Sequence, residues 1–423
     1  VAAASASSTR VFSPRVLAWA FYDFASSVYP AVITATVFSV YFANVIVGDA
    51  SGRGDLWWGR VLSVSMIFVA VSSPFLGSIA DRGGLRKRFL VAYSLLCILS
   101  VALFSTLTPG DLPRAFLLAV LANIGFEGAL VFYNAYLNDV APPGRQGFVS
   151  GLGFGLGYAG SGVGLLAVLP LVKRDAFDQV WLVVALMFGL FAIPAFLGLP
   201  PDRPTGTSIW RAVQMGVGGF RRTLVEAWRL PTLRRFLLAY FVYIDGINTT
   251  IYFSSIFATK TLGFQSKELV TLFLVVQISA LLGSLAWAKP TDRWGPKRVI
   301  VITLVLWIGV ALAGFFVNSR HAFYAVAMVA GSGLGAVQAA SRAFMASLIP
   351  RGREAEMFGF YAFCGKSSSI LGPLLFGAIS FAFHGNQRFA VLSVAIFFIV
   401  GLLLLTGVRS GRPASLPPRE PAT

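Results

Sequence analysis

Five ionisable side chains lie where water should be scarce. Asp23, Glu127, Asp245, Arg342 and Lys366 each fall inside a long apolar stretch. A charge at the middle of a bilayer costs from about 3 to more than 10 kcal/mol, depending on the scale, so each needs a counter-charge or a wet cavity. Their signs are unevenly shared. The first half of the chain holds Asp23 and Glu127, while the second holds Arg342 and Lys366 besides Asp245. Such a set could bind a small zwitterion, with its amine towards the first half and its carboxylate towards the second. It could equally be neutralised within the protein, with Asp245 paired to Arg342 or Lys366 as a structural ion pair. Asp23 and Glu127 have no basic partner in their own half, which makes them the better candidates for holding a substrate amine or a proton. A carboxyl group in an apolar cavity keeps its proton to higher pH than in water, so proton carriage near neutrality is feasible. The two histidines, His321 and His384, fall in outer loops, which excludes a histidine relay inside the membrane.

Helices must position these groups. Hydrophobic residues make up 57% of the 423 positions and charged residues 12%, about half the charged share of a soluble protein. Apolar runs long enough to cross a bilayer recur from end to end: 15–47, 57–80, 88–108, 115–138, 147–171, 179–199, 235–258, 268–288, 298–318, 321–348, 355–383 and 387–408. The pattern predicts an all-α integral membrane protein of twelve transmembrane helices. The first run is too long for a straight span and should bend near Pro30. Polar residues on the charged spans suit a wet pathway: Tyr22, Tyr133, Asn134, Gln338 and Asn248. Gln338 and Arg342 are four apart and share a helix face.

The chain carries 34 Lys and Arg against 17 Asp and Glu, a net charge of +17. Most of the basic residues fall in alternate connections, as the positive-inside rule requires of cytoplasmic loops. Both termini are therefore expected in the cytoplasm, and the basicity reflects topology rather than nucleic-acid binding. Cys97 and Cys364 lie within spans, so no disulfide framework is expected. No cleavable signal peptide is visible. The organisation expected is a cytoplasmic tail (1–14), a six-helix bundle (15–199), a cytoplasmic linker (200–234), a second six-helix bundle (235–408) and a disordered tail (409–423). Within the linker, Trp210–Trp228 is basic and amphipathic and could lie on the membrane surface.

Two repeats support the division. DRGG at Asp81–Gly84 returns as DRWG at Asp292–Gly295, each in a basic turn between apolar runs. A shift of 208 sets Pro142–Leu166 on Pro350–Leu374, with identities that include Pro142/Pro350, Gly144/Gly352, Arg145/Arg353, Gly151/Gly359, Gly157/Gly365 and Gly164/Gly372. The same shift makes Arg342 the counterpart of Asn134.

Twelve spans in two parallel repeats, with a duplicated DR-x-G turn after the second helix of each, resemble the major facilitator superfamily. Phe21-Tyr22-Asp23-Phe24-Ala25, Phe132-Tyr133-Asn134-Ala135-Tyr136-Leu137 and Gly352-Arg353-Glu354-Ala355-Glu356 leading into Gly365-Lys366 are similar to the vacuole-effluxer branch. Fungal members of that branch are associated with amino acid export from the vacuole. The resemblance implies two pseudo-symmetric six-helix bundles, alternating access, and a cavity lined by helices 1, 4, 7 and 10. It also implies that Asp81 docks on the N-terminus of helix 11, where a helix end favours a carboxylate by about 0.3–1 kcal/mol. Arg82 is then expected to pair with Asp139 at the end of helix 4. Gly77, Arg145, Asp292 and Arg293 complete the gating candidates. Ala288 stands where the family favours glycine, which predicts a looser helix contact in the second copy. The alternative for these turns is a solvated charged loop that only enforces topology.

The function expected is secondary active transport of a small polar solute, an amino acid or short peptide for preference, by efflux and with proton coupling as a further step. No Walker loop, metal cluster or nucleophile–base pair is present, so no cofactor or metal is implied and an enzyme is the least supported class. An exporter or flippase of a lipid or other amphiphile is the alternative, and a receptor that kept the fold is disfavoured by the buried charges. The partners expected are a small solute, the lipid bilayer and protons, with no nucleic acid and a monomeric state. The location expected is a bacterial inner membrane.

Overall fold

The computed structural model describes residues 12–48, 53–202, 230–264, 266–368, 371–384 and 386–408. Most of the N-terminal tail, the Trp210–Trp228 stretch and the C-terminal tail lie outside the described residues. Ser13 opens the first helix, its hydroxyl accepting the Val16 N–H at 3.3 Å, and Pro14 at the first helical position needs no N–H partner. That helix, α1 (Pro14–Ser26), ends before Pro30. A π-helical turn at Pro30–Thr34, α2 (Val37–Tyr41) and a second π turn at Phe42–Ile46 carry the span onward. Hydroxyls repair the interrupted backbone: Thr34 donates to the Pro30 carbonyl at 2.9 Å and Thr36 to that of Ala31 at 2.6 Å. The bend expected at Pro30 is thus present and spread over several turns.

The remaining helices of the first set are α3 (Arg53–Gly83), α4 (Arg86–Leu103), α5 (Leu112–Ala135), α6 (Leu137–Val140), α7 (Gln146–Val172) and α8 (Phe177–Gly198). The second set comprises α9 (Pro231–Leu262), α10 (Ser266–Ala286), α11 (Ala288–Trp294), α12 (Pro296–Phe316), α13 (Arg320–Leu348), α14 (Glu354–Ser367), α15 (Leu371–Ala382) and α16 (Gln387–Thr406). Among the described residues, eleven helical segments are long and apolar enough to cross a membrane. Over the described residues, the run expected as one span over 355–383 is divided between two helices, α14 and α15, and α14 ends at Ser367. With that pair the spans correspond to the twelve expected. The protein is an all-α, multi-pass membrane protein.

The two sets meet along a few helices. α14 lies along α3 and also touches α5, while α10, α11 and α13 pack on α7. Glycines let these backbones approach. Any side chain at Gly77 would strike the Ala355 carbonyl, and one at Gly359 would strike the backbone at Ser73 and Pro74. On the other side the glycine changes helix. Ala288 stands opposite Gly151, where an added Cβ would lie 2.7 Å from the Ala288 methyl. The contact is close, not loose as its alanine predicted, because the missing volume comes from α7 instead of α11.

Candidate functional site

Three tiers of polar contacts join the two sets, starting from the end where the basic turns cluster. The outermost tier is the α3–α4 turn. Asp81, its side chain wholly buried, accepts the Ala355 N–H at 3.2 Å and the Glu356 N–H at 2.9 Å, in the first turn of α14. These amides have no partner within the helix, so a carboxylate there satisfies them and meets the positive helix end. The cation expected on Asp139 is different, however. Arg82 donates to Ser78 Oγ at 3.1 Å, whereas Arg86 bonds Asp81 at 2.6 Å, Asp139 at 3.1 Å and Glu354. Gly84, in the left-handed region at φ 63°, turns the chain so that Arg86 folds back over Asp81. Next to it, Arg353 bonds Glu356 at 3.0 Å.

The α11–α12 turn repeats the docking. Asp292 accepts the Phe148 N–H at 3.1 Å in the first turn of α7. Arg145 and Arg293 are both exposed there.

The second tier centres on Arg342, about 9 Å in from the end of α13 at 1.5 Å per residue. Its Nη1 donates to Asp23 Oδ2 at 3.1 Å and to Asn134 Oδ1 at 3.3 Å. Its Nε and Nη2 donate to Ser150 Oγ at 2.9 Å and to the Ser150 carbonyl at 2.8 Å. Tyr133 donates to the same Asp23 oxygen at 2.8 Å. The guanidinium lies over three rings, with centroids at 4.0 Å for Phe154, 4.8 Å for Trp19 and 5.6 Å for Tyr133. Asp23 and Arg342 keep 6% and 3% of their exposure, so the pair is nearly dry. Gly153 makes room for it, since a Cβ there would lie 2.6 Å from the Asp23 carboxylate and 2.8 Å from Trp19. Below the pair, the Asn138 amide donates to the Ala346 carbonyl at 2.8 Å. Asn134 with Arg342, and Asn138 with Ala346, are each 208 positions apart. Equivalent residues of the two repeats therefore touch, which puts the pseudo-twofold axis between α5–α6 and α13.

The third tier is deeper. Lys366 Nζ donates to Glu127 Oε1 at 2.7 Å, joining α14 to α5. Here the lysine side chain keeps 29% of its exposure and the glutamate 8%, so the pair borders open space. Tyr158 on α7 donates to Gln338 on α13 at 2.8 Å, a further bridge between the sets.

The ion pairs differ from the internal pairing considered for Asp245. Arg342 and Lys366 both reach across to acids of the first set, and Asp245 pairs with neither. Asp245 is fully buried and its Oδ2 accepts the Gly372 N–H at 2.9 Å, at the start of α15. Asn248, one turn on, is half-buried. Tyr22 lies inside the first set, 2.7 Å from Ser94 Oγ and stacked on Tyr133, so it supports the site from behind. Trp19, Phe154, Ser150, Arg86 and Glu354 were not among the candidates. Arg86 could have been read from the basic tail of its motif, whereas Ser150 on a glycine-rich helix gave no signal.

Comparisons with known proteins agree with this architecture. The family model described as "Vacuole effluxer Atg22 like" matches residues 60–147 and 143–414. The MFS-type transporter YxiO of Bacillus subtilis is 31% identical over 94% of this chain and 95% of its own. Autophagy-related protein 22 of Coccidioides immitis is 27% identical over 88% of this chain and 75% of its own. Among solved structures, the human organic anion transporter MFSD10 superposes with a TM-score of 0.75 at 15% identity, covering 93% of this chain and 99% of its own. The proton:xylose symporter XylE gives 0.72 at 15% identity, covering 95% and 97%. The duplicated turn, the paired repeats and these matches lead to one assignment: the chain is a major facilitator superfamily transporter and belongs to the Atg22-like vacuole effluxer family.

Proposed function

We propose that the protein carries a small zwitterion, an amino acid or short peptide, across the membrane by alternating access, and that its working direction is efflux. The observation that carries this reading is the pair of bridges between the sets, Asp23–Arg342 and Glu127–Lys366. Each takes its acid from the first set and its base from the second. Removing one partner of a buried pair costs about 3–5 kcal/mol, because the other charge is left unpaired. A zwitterion avoids that cost. Its amine replaces Lys366 on Glu127 while its carboxylate takes Lys366, so the bridge opens with no charge stranded. The wetter Glu127–Lys366 pair is the place for this exchange. The dry Asp23–Arg342 cluster, with Asn134 and Tyr133, is the gate that stays shut until the Glu127–Lys366 pair has parted.

The basic end faces the cytoplasm in this reading, as the distribution of Lys and Arg supports. The three tiers then close the cytoplasmic side, and solute enters or leaves from the opposite face. The name of the matched family, vacuole effluxer, supports export, and the proton:xylose symporter among the structural neighbours supports a proton as driving ion.

Counterflow in proteoliposomes with pooled labelled amino acids, with and without a pH gradient, tests the proposal. Exchange that competes with unlabelled amino acids and falls in Glu127→Gln and Lys366→Gln is expected. A pool that gives no flux under any gradient refutes the zwitterion reading and turns attention to amphiphiles.

A further inference from the structure

Asp245 stands apart from the other intramembrane acids. About 21 Å from the start of α9 at 1.5 Å per residue, it lies near the bilayer midplane. Asp23 has Arg342 and Glu127 has Lys366, but among the described residues no cation pairs with Asp245. Asp23 and Asp245 both sit on the first helix of their set but face different partners, Asp23 lying against Gly153 and Arg342 and Asp245 against Gly372 and Thr249.

The surroundings of Asp245 are closed. Its Oδ2 accepts the Gly372 N–H, whereas its Oδ1 and the Thr249 hydroxyl, one turn along α9, are both buried and have no hydrogen-bond partner other than each other. The two orphan atoms face the same spot, since a Cβ on Gly372 would strike Thr249 Oγ1 and lie 2.8 Å from Asp245 Oδ1. Among the described residues, the helices packed against α9 bring no free charge. On α14, Lys366 is held by Glu127 and Tyr361 stacks on Tyr240; on α13, Arg342 is held by Asp23; on α16, Arg388 binds the carbonyls of Phe315 and Val317. The described side chains of α15 carry no ionisable group. An uncompensated carboxylate in such a place is neutralised by a proton at lower cost than it is kept charged.

We propose that Asp245 is a proton-binding site of the transport cycle, carrying its proton on Oδ1 against the Thr249 hydroxyl while Oδ2 holds the start of α15. Loading transfers one proton from water to the carboxylate and alters no other covalent bond. On ionising, the carboxylate grips the α15 amides more strongly, so the proton sets how α15 is held against α9. This deepens the reading of the protein as an ion-coupled carrier and rests on it for the role in transport.

Infrared difference spectroscopy of the protein in nanodiscs, titrated with pH in H2O and D2O, reads the site without a substrate. A protonated-carboxyl band is expected that ionises during the titration, vanishes in Asp245→Asn, persists at a shifted position in Asp245→Glu and moves to higher wavenumber in Thr249→Val. A band that survives unchanged in Asp245→Asn, or no protonated carboxyl in the wild type at any pH, overturns the proposal. In proteoliposomes, amino-acid uptake driven by an imposed pH gradient is expected to be lost in Asp245→Asn and partly restored in Asp245→Glu; retained gradient-driven uptake in Asp245→Asn also overturns it. Should the wild type move no amino acid at all, the transport reading fails, and the carboxyl band still decides the site.

Discussion

At the α3–α4 turn, Asp81 meets two amides of α14 and a guanidinium that two further carboxylates share. At the α11–α12 turn, Asp292 meets the Phe148 and Gly147 amides of α7 near Arg145, and among the described residues no cation joins it to further carboxylates. The first turn is one residue longer between its aspartate and its lysine, and it carries Arg86 where the second carries proline. Lys87 caps the end of α8 through the Leu199 carbonyl at 2.8 Å, and Lys297 caps the end of α16 through Thr406 at 3.1 Å and Val408. Counting back from these lysines, the first copy has room for Arg86 between the aspartate turn and the cap, while the second has Pro296 there. The same motif therefore gives a dense charge network on one side of the interface and a lighter contact on the other.

The comparison can be broken at the charge network. Arg86→Ala removes the guanidinium shared by Asp81 and Glu354 and should weaken the closed basic end by about 3 kcal/mol, roughly a hundredfold in the closed-to-open ratio. The readout is maleimide labelling of Ala346→Cys, a buried position behind the network, in a background with Cys97 and Cys364 replaced. Unchanged labelling would remove the network from the argument. Asp81→Asn should act in the same direction but less strongly, by about 1–2 kcal/mol, since the amide can still accept one N–H while the pair with Arg86 is lost. Asp292→Asn tests the contrast directly. It should cost no more than about 1 kcal/mol, and a labelling increase equal to that of Asp81→Asn would erase the asymmetry. Lys297→Gln should have the smallest effect, about 0.3–1 kcal/mol as a lost helix cap, visible as a small drop in melting temperature without a change in labelling.

Much of this was legible in the residues. Apolar run length located the spans, the 208-residue shift related the sets, and the family resemblance that the turn motif carries placed Asp81 on the helix that holds Ala355 and Glu356. Two kinds of fact were not legible. The first is side-chain direction after a turn. Arg82 follows Asp81 directly and so points about 100° away on the helix, whereas Arg86, past the left-handed Gly84, comes back to it. The second is pairing across the axis. Searching each half for its own counter-charges set Asp245 against Arg342 and Lys366, yet the axis brings α13 and α14 to face α1 and α5, so those bases meet Asp23 and Glu127 instead. The split of α14 from α15 was passed over too, because the apolar run over 355–383 was read straight across the polar Lys366-Ser367-Ser368-Ser369.

Asn134 and Arg342 touch each other although they occupy the same place in their repeats. A tandem of two identical copies could not have formed this contact with charge. Two arginines would have put like guanidiniums face to face in a dry interior, and two asparagines would have left Asp23 without a cation. A charged contact on the axis thus became available only once duplication let the copies differ there, and at this contact the acid comes from the first copy and the base from the second.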